Sequence, residues 1–127
     1  INMIKKIRPP FNLPPGAIAA GIAALEDDEH LNKVVKHNSS VKSWFINELK
    51  KLGFNAYSTQ ANFTFVKINE KNNISASHIN EYLLSNGIAV RYLSSYNLPD
   101  ALRITFGTKE ELSKTINLLK KFKTENE

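Results

Sequence analysis

The chain has 127 residues and a mass of 14.3 kDa, with 42% hydrophobic and 23% charged residues, five Gly and five Pro. That composition fits one globular domain able to bury a core, and it argues against a disordered, collagen-like or coiled-coil chain and against a complete metabolic enzyme with a cofactor. The absence of cysteine excludes disulfides, thiolate metal sites and a cysteine nucleophile, while a net charge of +5 keeps nucleic acid in question until the distribution of that charge is examined.

Lys50, Lys51, Lys109, Lys114, Lys120 and Lys121 share predicted helices with Glu110, Glu111 and other polar residues. They read as a solvated face, and a nucleic-acid partner is not expected. No apolar run approaches the roughly 20 residues a membrane helix needs, and the start lacks the apolar core of a signal peptide. The cytoplasm is the expected location.

In chain order, Ile1 to Pro15 reads as an extended connector, because Pro9, Pro10, Pro14 and Pro15 forbid a regular helix or central strand. Gly16 to Leu25 is small and apolar and predicts a helix with Pro15 in its first turn. A helix apolar nearly all round needs protein on most of its faces, which points to a neighbouring domain or subunit; a core helix of a small bundle is the simpler alternative.

From about Glu26 to Leu52, the residues Leu31, Val34, Val35, Val41, Phe45, Leu49 and Leu52 recur at helical spacing. Gly53 supplies a stop, and Ser39 and Ser40 allow a bend. Strands are predicted at Phe54 to Ser58 and at Asn62 to Ile68, where Phe63 and Phe65 alternate with Asn62, Thr64 and Val66. A loop over Asn69 to Asn73 leads to a helix from Ser75 or Ser77 to Asn86-Gly87.

Ile88 to Leu93 and Ala101 to Phe106 predict two more strands. The last helix opens on Thr108 and Glu111 at capping-box spacing and continues through Leu112, Ile116, Leu119 and Phe122. The order predicts an α+β or α/β two-layer fold, with helices on a small, mixed sheet.

Catalytic patterns are weak. His30, His37 and His78 lie on predicted helices among polar neighbours and read as surface residues, and neither a Walker loop, a Rossmann glycine pattern nor a nucleophile elbow is present. The carboxylates gather at helix ends, where the helix dipole accounts for them. Two arginines stand apart: Arg91 in Gly87-Ile88-Ala89-Val90-Arg91-Tyr92, and Arg103 in Ala101-Leu102-Arg103-Ile104-Thr105-Phe106. With three arginines against fourteen lysines, two inside apolar strands ask for an anion. That anion is either an internal carboxylate in a structural ion pair or a bound ligand.

Five segments carry a resemblance: Arg8-Pro9-Pro10-Phe11-Asn12, Ala23-Ala24-Leu25-Glu26-Asp27, Ser58-Thr59-Gln60-Ala61-Asn62-Phe63, Gly87-Ile88-Ala89-Val90-Arg91, and Leu98-Pro99-Asp100-Ala101-Leu102-Arg103-Ile104-Thr105-Phe106-Gly107-Thr108. In this order they resemble the C-terminal part of histidinol-phosphate aminotransferases, pyridoxal-phosphate enzymes of aminotransferase fold type I. The resemblance implies the small C-terminal domain of that fold over residues 29–127. Residues 1–28 then form a connector and an apolar helix packed on a missing N-terminal large domain.

It also implies that Arg103 grips a substrate α-carboxylate, that Arg91 lies near the phosphate-bearing end of the substrate, and that Asn62 and Phe63 border the active site. The Schiff-base lysine, the aspartate on the pyridinium nitrogen and most of the phosphate cup lie upstream in the family. The chain alone is therefore expected to bind no pyridoxal 5'-phosphate and to be inactive. The implied parent is a homodimer that moves an amino group between histidinol phosphate, or imidazole-acetol phosphate, and glutamate or 2-oxoglutarate, in histidine biosynthesis.

Tyr92 and Ser95-Tyr96-Asn97 depart from the family's frequent Pro and Gly-Tyr-Gly. The departures leave room for relatives acting on aromatic amino acids or threonine phosphate. A stand-alone α/β anion-binding or regulatory module is the competing class.

Overall fold

The computed structural model describes residues 1–7, 12–69 and 74–126. They fall into two compact units, Ile1–Val35 and Lys36–Glu127.

The first unit is helical. α1 spans Asn2–Ile7, where an extended connector was expected. The six residues precede the prolines, so nothing in them blocks a helical turn. The following Arg8 to Phe11, part of the resembling segments, lie outside the described residues. α2 spans Pro15–Glu26, with Pro15 at its first position after an extended Pro14. It buries none of its residues, and Ile18, Ile22 and Leu25 are exposed.

α3 spans Asp28–Lys51 and does not begin at Glu26 as expected. Asp27 breaks the chain between α2 and α3, and its Oδ1 accepts from the His30 N–H at 2.9 Å, starting the new helix in the manner of an N-cap. α3 runs unbroken through Ser39 and Ser40. The Ser40 hydroxyl donates to the His37 carbonyl at 2.8 Å, a local bond the helix tolerates.

In the second unit α3 presents Val41, Phe45, Ile46 and Leu49 to the core. Gly53, at φ 80°, ends it with the Gly53 N–H on the Lys50 carbonyl and the Phe54 N–H on the Leu49 carbonyl. β1 (Asn55–Tyr57), β2 (Phe63–Lys67), α4 (Ala76–Ser85), β3 (Arg91–Tyr92), β4 (Ala101–Thr105) and α5 (Lys109–Asn126) follow. Of the expected Asn69 to Asn73 loop, residues 70–73 lie outside the described residues.

The sheet order is β1-β2-β4-β3, and every neighbouring pair is antiparallel. The α+β class holds, but the expected mixed sheet is corrected. β2 and β3 do run the same way, joined through α4, yet the connection carries β3 past β4, which lies between them. β3 is also shorter than the expected Ile88 to Leu93: only Arg91 and Tyr92 pair, while Ile88 and Val90 pack against the core outside the ladder.

One face of the sheet closes the core. Val66 of β2 and Ile68 just after it, with Leu102 and Ile104 of β4, meet Leu49 of α3, Ile79 of α4 and Leu119 of α5 around a small internal void. Thr64, buried on this face, donates its hydroxyl proton to the Tyr57 carbonyl at 2.9 Å and so satisfies its polar atom inside the core. The other face carries the odd-numbered residues of β2 and β4, including Arg103.

Candidate functional site

Strand register lines up one residue from each strand on the open face. Tyr57 of β1 is opposite Phe65 of β2, Phe65 is opposite Arg103 of β4, and Arg103 is opposite Arg91 of β3. The alternate residues Ala56, Val66 and Leu102 point into the core, so this row points away from it. Phe63, two residues before Phe65, shares the row's face.

The ladder bonds set how close these side chains come. The Ile68 N–H donates to the Asp100 carbonyl and the Phe106 N–H to the Asn62 carbonyl, both at 2.8 Å, which makes Phe65 and Arg103 a non-hydrogen-bonded pair, the closer kind. The Leu93 N–H donates to the Ala101 carbonyl at 3.2 Å, which makes Arg91 and Arg103 a hydrogen-bonded pair. Two guanidinium-bearing residues thus stand directly opposite on adjacent strands. Like charges in that relation destabilise a sheet unless an anion joins them.

No carboxylate among the described residues does so. The ion pairs found there join Lys51 to Glu48, Lys67 to Asp100 and Lys121 to Glu125, and neither arginine takes part in them. Arg103 is half-buried, its guanidinium carbon lies 5.2 Å from the centroid of the Phe63 ring, and its buried Nε has no hydrogen-bond partner among the described residues. A buried guanidinium nitrogen without an acceptor is costly and is satisfied most directly by an incoming oxygen. Arg91 is exposed; its Nη2 donates to the Tyr96 hydroxyl at 3.2 Å, and its guanidinium carbon lies 5.7 Å from that ring's centroid.

The loop before β2 is tied down from both sides. The Lys42 Nζ donates to the Thr59 carbonyl at 2.7 Å, and the Thr59 hydroxyl donates to the Phe63 carbonyl. Asn62 is exposed, and its backbone carbonyl extends the β2–β4 ladder.

Beyond β4, the Thr108 N–H and hydroxyl both reach Glu111 Oε2, at 2.8 and 3.0 Å, and the Glu111 N–H returns to the Thr108 hydroxyl at 3.3 Å. This is the capping box expected from the sequence. The backbone N–H of Thr108, then its side chain, hold the Glu111 carboxyl below its usual range against a small opposing effect of burial. A methyl group at Gly107 would collide with that carboxylate, so glycine there leaves room for the cap. His37 departs from the expected surface role. It is half-buried, and its Nε2 donates to the Gly107 carbonyl at 3.0 Å.

The sequence profile of the family described as aminotransferase class I and II matches residues 1–119. The chain belongs to this family. The histidinol-phosphate aminotransferase of Nitrobacter winogradskyi is 34% identical over 110 residues, 87% of this chain and 30% of that protein. The Geotalea daltonii protein of the same name is 36% identical over 116 residues, 91% of this chain and 33% of that protein. The chain thus spans about a third of the length of these relatives, at their C-terminal part.

Among solved structures, the histidinol-phosphate aminotransferase from Clostridium acetobutylicum aligns with a TM-score of 0.76 at 24% identity, covering 98% of this chain and 37% of that one. The enzyme from Sinorhizobium meliloti, solved in complex with pyridoxal-5'-phosphate, aligns at 0.74 and 23%, covering 95% and 34%. These likenesses establish the fold as that of the fold type I aminotransferases over the aligned portion.

In this aminotransferase chain, the structure brings Arg91, Arg103 and Phe63 to one open face and leaves Asn62 at its border, engaged through its backbone. Tyr57 and Phe65 were not among the candidates read from the sequence, and Tyr96 entered there only within the departure Ser95-Tyr96-Asn97. The alternation of Phe63 with Phe65 put Phe65 within reach, but Tyr57 and Tyr96 depend on register and on a turn. Lys42 carried no signal, and Thr59 was named only as part of a resembling segment. Among the described residues, no His, Asp or Glu cluster could hold a metal ion, and no helix is long and apolar enough to cross a membrane.

Proposed function

We propose that this chain is the substrate-binding small domain of a pyridoxal-phosphate-dependent aminotransferase that moves an amino group between histidinol phosphate and 2-oxoglutarate or glutamate. The observation that carries the reading is the pair of opposed arginines, one with a buried Nε that no group among the described residues satisfies. Arg103 takes the α-carboxylate of glutamate on its planar fork, and the Phe63 ring against it limits the fork's motion. Holding the carboxylate at two points fixes the orientation of the carbon that bears the amino group.

Histidinol phosphate carries a phosphate and no carboxylate, so its anionic end falls to the same cationic face, with Arg91 as its principal holder. Asn62 and Phe63 border the bound substrate. Pyridoxal phosphate, when bound, supplies the electron sink for moving the amino group. Lys67, which shares the open face, is paired with Asp100 at 3.1 Å, and no lysine of this chain is proposed as the cofactor's anchor. Residues 1–28 act as connector and as an apolar helix packed on a large domain, residues 29–127 as the small domain, and the whole assembles as a homodimer in histidine biosynthesis.

The test uses the complete gene product. Arg103→Ala is expected to lose about 2–5 kcal/mol of transition-state binding with glutamate, roughly a 30- to several-thousand-fold fall in kcat/KM, with Arg103→Lys between it and the wild type. Unchanged kcat/KM in Arg103→Ala removes Arg103 from the site.

A further inference from the structure

Arg91 sits on β3 at the edge of the sheet, where a long cationic side chain ordinarily samples many rotamers. Fixing it on a ligand costs on the order of 1–2 kcal/mol of side-chain entropy. In this chain it is already held. Tyr96 meets the guanidinium twice, through its hydroxyl at 3.2 Å and its ring face at 5.7 Å.

The backbone places Tyr96 there. After β3, the chain turns through a 3-10 turn over Ser94–Tyr96, closed by the Tyr96 N–H on the Leu93 carbonyl at 2.9 Å and the Asn97 N–H on the Ser94 carbonyl at 3.0 Å. Asn97 ends the turn in the left-handed region at φ 58°, a conformation asparagine tolerates better than most residues. The turn returns the tyrosine, five residues later in sequence, to the arginine.

The chemistry of the contact is directional. The phenol oxygen accepts from one of the five guanidinium N–H groups, so the remaining donors and the phenol's own proton stay available to an anion. Ring and hydroxyl restrict the fork before a ligand arrives, which lowers the entropic cost of binding. We propose that Tyr96 is a specificity-determining positioning residue: it holds Arg91 ready for the phosphate-bearing end of the substrate and adds a hydroxyl donor to the same anion. This rests on the reading of Arg91 as the phosphate holder.

Steady-state kinetics on the complete gene product, with histidinol phosphate and with glutamate as separate amino donors, test it in Arg91→Ala, Tyr96→Ala and Tyr96→Phe. Tyr96 is 58% exposed, so its variants remove no core packing. Tyr96→Ala is expected to raise KM for histidinol phosphate about three- to tenfold while kcat and the KM for glutamate stay within about twofold. Tyr96→Phe, which keeps the ring, recovers part of the loss.

An unchanged KM for histidinol phosphate in Tyr96→Ala, with a raised one in Arg91→Ala, overturns the role of Tyr96 and leaves that of Arg91 standing. No effect of Arg91→Ala overturns both. Equal KM shifts for the two donors reveal a general loosening and overturn the specificity role. Failure of the wild type to turn over histidinol phosphate removes the substrate reading beneath it.

Discussion

Arg91 and Arg103 face each other across two strands with no anionic side chain of the described residues paired to either, an arrangement that works against the free fold. Replacing Arg91 by threonine, a good strand residue, removes the repulsion at the cost of the Tyr96 contact. Urea denaturation of the chain should place Arg91→Thr within about 0.5 kcal/mol of the wild type or above it. A loss of about 1.5 kcal/mol or more would make Arg91 a structural residue and weaken the ligand account. The two arginines themselves were legible in the sequence, because three arginines among so many lysines are conspicuous when two of them interrupt apolar strands. Their opposition was not, since register is a long-range property that no local spacing contains.

Among the elements, α5 was the most readable: Thr108 and Glu111 are three residues apart, and the capping box needs only that spacing. Thr108→Ala should cost about 1 kcal/mol of stability. The pH dependence follows from the lowered carboxyl of Glu111. A carboxyl whose folded pKa lies below its unfolded value stabilises the fold at pH above the ordinary 4.5, and that contribution is lost as the pH falls through the folded value. Stability measured against pH should therefore fall more steeply below 4.5 in the wild type than in Glu111→Gln; parallel curves would show that the cap does not depend on the charge. Other boundaries were less readable. The break at Asp27 is a capping event inside a stretch whose apolar spacing continues past it, and β3 is cut short because Ile88 and Val90 find burial without ladder pairing.

Taken as a molecule, the second unit has a finished core beneath its sheet and an unfinished face above it. Helices α3, α4 and α5 cover the even-numbered residues of β2 and β4, while Tyr57, Phe65, Arg103 and Arg91 line the other side. The class of the fold was accessible from periodicity alone. The antiparallel order was not, because the connection through α4 decides it only when β3 is placed beyond β4. In the first unit α2 keeps the all-round apolar character read from its sequence and buries none of it. The central claim is that Arg103 clasps an acid group that is not part of this chain. The most direct measurement is a crystal structure of the complete gene product with glutamate bound, in which both oxygens of the substrate α-carboxylate should lie at about 2.8 Å from the Arg103 fork. A guanidinium paired instead with a protein carboxylate, and the substrate held elsewhere, would contradict it.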